Sequence, residues 1–167
     1  MKKRYIWMLL SIAGIVAADQ FTKWLTVRHI APGEIVPVWD GVVHLTYLRN
    51  NGMAFSLFEG GRWVFLLFTA VFLVLAALTA VKDWLPHPLA RASLVMVTGG
   101  AVGNLIDRLL YGSVVDMIEP ELIRFAVFNV ADIFVTVGAA LILVWAFFLD
   151  RKKPTREETS IDHDHSV

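Results

Sequence analysis

The sequence predicts an α-helical membrane protein: four transmembrane helices, a small extracytoplasmic β-sheet and an interfacial loop or helix. Three observations predict it. Hydrophobic residues make up 57% of the 167 residues even before glycine is counted, against an apolar share of about 45–50% in soluble domains. Two uncharged stretches, nineteen residues from Trp63 to Val81 and seventeen from Ile133 to Leu149, suit a hydrocarbon core of about 30 Å at roughly 1.5 Å per helical residue. Between the apolar segments, Val42–Arg49 alternates Val43, Leu45 and Tyr47 with His44, Thr46 and Leu48, a period-two strand pattern.

The first span, about residues 5–25, is apolar from Tyr5 through Ala18 and then meets Asp19 and Lys23. Lys2, Lys3 and Arg4 before an apolar run, with Val16-Ala17-Ala18 before Asp19, also read as a cleavable secretory signal. Phe21, Trp24, Leu25 and Val27 continue the apolar character past Asp19 and favour an uncleaved helix. The strand pattern then ends in Asn50-Asn51-Gly52, which is turn chemistry. The second span covers about 63–81. The third, about 90–110, carries Asn104 within it and Asp107 and Arg108 at its end. The segment from Tyr111 to Phe128 mixes Pro120 and acids with Ile and Phe, as expected of chain lying along the interface. The fourth span covers about 131–149. Residues 1–149 therefore form one four-helix domain, and the polar 150–167 a disordered cytoplasmic tail. His163 and His165 in that tail read as solvated rather than as metal ligands.

Four spans put both termini on one side. That side holds nine of the fifteen basic residues (Lys2, Lys3, Arg4, Lys82, Arg91, Arg151, Lys152, Lys153 and Arg156). The excess makes it cytoplasmic, with segments 26–61 and 111–130 outside. Fifteen acidic residues balance the fifteen basic ones, which argues against nucleic acid as a partner. The absence of cysteine removes disulfide, thiolate and cysteine–zinc chemistry.

Asp19, Lys23, Asn104, Asp107, Arg108, Asp116, Asn129 and Asp132 all fall near the outward ends of spans. Ionisable groups in or beside membrane segments are costly and mark functional candidates. Asp19 and Lys23, four apart, share a helix face and suit an ion pair. Gly99 and Gly103 form a Gly-x-x-x-Gly pattern that lets another helix approach. Asn104 and Arg108, one turn beyond, are placed to orient polar groups or meet lipid headgroups. By spacing, Asn129 and Asp132 form a capping box. Asp116 has a bond to a local turn or to Arg108 as its plain reading. Read together, Asp116 and Asp132 form a carboxylate pair that shares a proton, one acting as general base on a water while the other is an acid. Both readings stand on spacing alone.

As a set, five blocks resemble the lipoprotein signal peptidases, the type II signal peptidases of bacteria. They are Asp19-Gln20-Phe21-Thr22-Lys23, Arg49-Asn50-Asn51-Gly52-Met53-Ala54-Phe55-Ser56, the stretch from Gly99 to Arg108, Val114-Val115-Asp116, and Phe128-Asn129-Val130-Ala131-Asp132. They resemble the family's D-Q-x-T-K, R-N-x-G-x-A-F-S, G-G-A-x-G-N-x-x-D-R, V-V-D and F-N-x-A-D. Met53 stands where a small residue is common. The resemblance implies an intramembrane aspartyl endopeptidase of the bacterial cytoplasmic (inner) membrane, without cofactor or metal, acting as a monomer near the extracytoplasmic face. It implies prolipoproteins bearing a diacylglyceryl cysteine, cut before that cysteine, and membrane lipids as partners. It also implies Asp116 and Asp132 as the catalytic pair, with Asn50, Gly52, Asn104, Arg108 and Asn129 in support and Asp19 and Lys23 as a structural ion pair. Two other classes fit less well. A proton-coupled transporter would place its carboxylates near the midplane, often with internal repeats. A headgroup-modifying enzyme would be expected to gather histidines or metal ligands.

Overall fold

The computed structural model describes residues 2–52, 62–123 and 125–150. Met53 to Ser56 of the second block, and the tail from residue 151 with His163 and His165, lie outside the described residues. Four helices, α1 (Lys2–His29), α2 (Arg62–Val81), α3 (Pro88–Tyr111) and α4 (Val130–Val144), are joined by three strands, β1 (Ile35–Trp39), β2 (Val43–Asn50) and β3 (Val114–Pro120). A single π-helical turn, Trp145–Leu149, prolongs α4, so the fourth candidate span reaches Val130–Leu149.

α1 runs unbroken through the Ala18-Asp19 junction where a signal cleavage was an alternative. α3 begins on a cap: His87 Nδ1 accepts the Leu89 N–H at 3.2 Å, and Pro88 occupies the first turn, where its missing N–H costs nothing. It stops at Gly112, whose φ of 75° is left-handed and suits glycine. α3 is the hub of the bundle, packed against α1, α2 and α4.

The strands form one antiparallel sheet in the order β1-β2-β3. The stretch expected to lie along the interface supplies β3, which pairs Leu48 with Asp116 and Asn50 with Val114. Among the described residues of 112–129 there is a strand and a turn but no helix. The alternation expected in β2 breaks because the register shifts between Leu45 and Leu48. Thr46 and Tyr47 are therefore both buried, as a bulge allows. Tyr47, Val115 and Met117 form a small apolar core, with Ile30 beyond the end of α1 packed against it.

Burial is inverted relative to a soluble protein. The largest fully buried side chains are Asn129, Asp19, Asp107, Asp116 and Ser93, while Trp7, Trp63, Phe68 and Phe147 are exposed. Apolar faces turned outward on four long helices are stable where the solvent is lipid, and the polar groups must then satisfy one another inside.

Candidate active site

Asp116 is placed by its strand and by two ties that hold β3 down. Asp107 Oδ2 at the end of α3 accepts the Val115 N–H at 3.1 Å. Phe128 bridges the other edge, with Phe128 N donating to Ile118 O at 3.0 Å and Ile118 N to Phe128 O at 2.8 Å. That bridge delivers the next residue, Asn129, to Asp116 and opens α4 there.

Asn129 then serves two carboxylates. Its Nδ2 donates to Asp116 Oδ1 at 2.7 Å, and its backbone N–H donates to Asp132 Oδ2 at 3.2 Å. Its Oδ1 accepts the Asp132 N–H at 3.0 Å, completing the capping box. The cap expected from spacing is thus present, and it also ties Asp132 to Asp116 through one residue.

Two more asparagines are oriented by their own acceptor contacts. Asn50 Oδ1 accepts the Gly52 N–H at 2.8 Å, which leaves Nδ2 to donate to Asp116 Oδ2 at 2.9 Å. Gly52 has φ +86°, and a Cβ there would come within 2.7 Å of the Phe65 ring, so glycine is required on both counts. Asn104 Oδ1 accepts from Lys23 Nζ at 3.0 Å and from Asn129 Nδ2 at 3.2 Å. Its Nδ2 donates to Asp132 Oδ1 at 2.8 Å. Each carboxylate oxygen of the pair thus has one fixed donor.

Asp116 is 1% exposed and Asn129 fully buried. Asp132 instead lines a groove of about 520 Å³ with Asn50, Phe128, Ile133 and Thr136. Burial holds the Asp116 carboxyl above the usual carboxylate range; the amides of Asn50 and Asn129 oppose this, and the charge of Asp132 reinforces it.

Behind the pair, Lys23 Nζ lies 2.8 Å from Asp19 Oδ2 and 3.1 Å from Asp107 Oδ2. The expected Asp19–Lys23 pair exists, but it is a three-member cluster. Asp19 Oδ1 also accepts the Ala131 N–H at 2.9 Å, joining α1 to the first turn of α4. Gln20 Nε2 donates to Asp107 Oδ1 at 2.9 Å and to Gly103 O at 3.1 Å. Gln20 and Asp107 stood inside the recognised blocks, but their bonding was not expected. Only the repeated polar residues at span ends signalled it. Gly99 and Gly103 do pack against α1: a Cβ would lie 2.8 Å from Ile15 at the first and 2.5 Å from Asp19 Oδ2 at the second.

The bond to Arg108 that was one plain reading of Asp116 does not form. Arg108 makes no ion pair with Asp116 among the described residues; NH1 donates to Asn104 O at 3.5 Å and the guanidinium lies 4.8 Å from the Phe65 ring centre. The Asp116 oxygens hold asparagine donors, and the half-buried Arg108 sets its guanidinium over an aromatic face.

Four helices long enough to span a membrane, with two aspartates joined through one asparagine and one of them lining a groove, are the arrangement of a membrane-embedded aspartic protease. Residues 11–148 match the family described as Signal peptidase (SPase) II. The chain is 43% identical over 148 residues to the lipoprotein signal peptidase of Brevibacillus brevis, covering 89% of this chain and 99% of that one. It is 42% identical over 148 residues to that of Streptococcus pyogenes serotype M1, covering 86% and 93%. Two bacterial membrane enzyme structures obtained by the in meso method share the fold. One, at 1.9 Å resolution, has a TM-score of 0.80 and 30% identity over 86% of this chain and 94% of that one. The other, at 2.3 Å, has 0.78 and 28% over 96% and 93%. The chain belongs to the signal peptidase II family.

Proposed function

We propose that Asp116 and Asp132 are the catalytic pair with which this multi-pass membrane enzyme removes the signal peptide of a prolipoprotein, cutting before a cysteine that already carries a diacylglyceryl group. The observation that carries the reading is Asn129, bonded to both carboxylates, of which Asp132 lines the groove. Two carboxylates so close do not both ionise readily, and burial of Asp116 favours a retained proton. The ionised member takes a proton from water, whose oxygen attacks the scissile carbonyl. The protonated member gives its proton to the carbonyl oxygen. Collapse then breaks the C–N bond, and the leaving amine takes up a proton from the pair.

Asn50 and Asn129 hold Asp116, Asn104 holds Asp132, and Gly52 holds Asn50. Arg108, held by the Asn104 carbonyl and the Phe65 ring, supports the pair from nearby. Asp19 and Lys23 are structural, tying α1 to α3 and α4. The groove's Phe128 and Ile133 suit a substrate whose cut site is anchored in lipid. Membrane lipids and lipid-modified prolipoproteins are the partners of a monomeric enzyme. The excess of basic residues at the side of the termini supports cytoplasmic termini, an inner-membrane location and an outward-facing site. A reporter fused after Val167 reads cytoplasmic in this orientation, and a periplasmic signal reverses it.

The deciding experiment compares one prolipoprotein with and without diacylglyceryl on its cysteine. Cleavage before the modified cysteine, and little or none of the bare one, is the expected result. Equal cleavage of both removes the lipid from the recognition.

A further inference from the structure

At the opposite end of α1 from the aspartates, a second groove of about 600 Å³ opens between α1 and α3. Trp7, Met8, Ser11 and Met96 line its length, and Arg4 and Arg91 stand at its end. From Arg4 to Asp19 is fifteen residues of continuous helix, about 22 Å, so this groove is separate from the peptidase site. Arg4 is neutralised by Asp83, 2.8 Å away. Arg91 has no carboxylate partner among the described residues, and its NH2 donates only to Pro86 O. The Nε–H groups of both arginines are buried without an acceptor. Buried N–H donors without an acceptor are rare and unfavourable, even on side chains that are only partly covered.

We propose that this groove binds one anionic phospholipid, with its phosphate on Arg91 and Arg4 and an acyl chain along Trp7, Met8, Ser11 and Met96. The chemistry selects the ligand from both ends. Guanidinium groups match phosphate oxygens, and basic pockets between spanning helices take anionic headgroups. The apolar length of the groove, on the lateral surface of two spans, is filled by an acyl chain and by no soluble anion. A zwitterionic lipid carries its own cation against the charge of Arg91, which no carboxylate among the described residues compensates. The site does not depend on the peptidase assignment. A bound lipid there clamps the starts of α1 and α3 together, and through them the hub of the bundle.

The test uses the purified full chain in a neutral detergent and follows its thermal unfolding. Phosphatidylglycerol is expected to raise the midpoint by about 3–6 °C at a tenfold excess over its dissociation constant. Phosphatidylcholine of the same chains, and glycerol phosphate alone, are expected to leave it in place. Arg91→Ala removes the charge, and Ser11→Phe fills the groove while keeping both arginines; each is expected to abolish the shift. An equal shift with phosphatidylcholine overturns the headgroup assignment. The full shift with glycerol phosphate, or its persistence in Ser11→Phe, overturns the groove. No response of the parent protein to phosphatidylglycerol overturns both, whether or not Arg91→Ala folds.

Discussion

Asn129 donates its side-chain amide to Asp116 at 2.7 Å, and the same residue's backbone N–H reaches Asp132 at 3.2 Å. One residue thus sets the position of both carboxylates, one through a side chain and the other through a helix cap. Asp116→Asn and Asp132→Asn keep the shape of each group but remove its ability to take up or hold a proton. Each is expected to lower prolipoprotein cleavage by at least about 10²–10⁴-fold, with membrane insertion intact. Full turnover by either purified variant would end the assignment.

The pH profile offers a second check, whose sign follows from the hydrogen bonds. Burial raises the proton affinity of Asp116, and the amide of Asn50 acts against it by favouring the charged form. Asn50→Ala deletes that opposition. Asp116 then keeps its proton to higher pH, so the alkaline limb of cleavage, where the shared proton is lost, moves to higher pH. Rate profiles of parent and variant measure this; a limb that moves to lower pH contradicts the role given to Asn50.

Asp19 is placed to hold helices together rather than to react. It is fully buried, pairs with Lys23 and accepts the Ala131 N–H. Asp19→Ala leaves Lys23 with Asp107 as its one carboxylate, beside the Asn104 amide oxygen, and the Ala131 donor unpaired. Breaking a buried pair of this kind costs about 3–5 kcal/mol, with the low end expected because Asp107 remains. The unfolding midpoint in micelles is expected to fall, while cleavage per folded molecule is retained. A well-folded but inactive Asp19→Ala protein reassigns the residue to the chemistry.

Much of this was legible before the structure. Charge-free runs marked α2 and α4, and the polar residues at span ends named most members of the network, with Asn50 added by the resemblance and the role of Gln20 missed. Partners close in sequence were legible, as in the Asp19–Lys23 pair and the Asn129–Asp132 cap; distant ones were not. Asn50 meets Asp116 across 66 residues of sequence, because β2 and β3 become neighbours only when α2 and α3 fold between them. Local periodicity carries no information about such a meeting. It likewise misses the register shift that buries Thr46 beside Tyr47. Arg108 shows the same limit: helical spacing placed it beside Asn104, but its contact with Phe65 comes from another helix.

Glycines on α1 and α3 give a final pair of predictions with opposite signs. A Cβ on Gly100 would overlap the Ala131 carbonyl oxygen and lie 2.7 Å from Val135 Cγ2. The first obstacle is backbone, in the opening turn of α4, and cannot swing aside. Gly100→Ala is therefore expected to cost about 1–3 kcal/mol. A Cβ on Gly14 meets nothing within 4 Å, and alanine there gains about 0.5–1 kcal/mol of helix preference. Thermal unfolding of the two variants should move the midpoint down for the first and up for the second. Asp132 follows Ala131 directly, so displacing that turn also shifts one carboxylate against the other. Gly100→Ala should then lose cleavage beyond what its folded fraction explains, and Gly14→Ala should lose none.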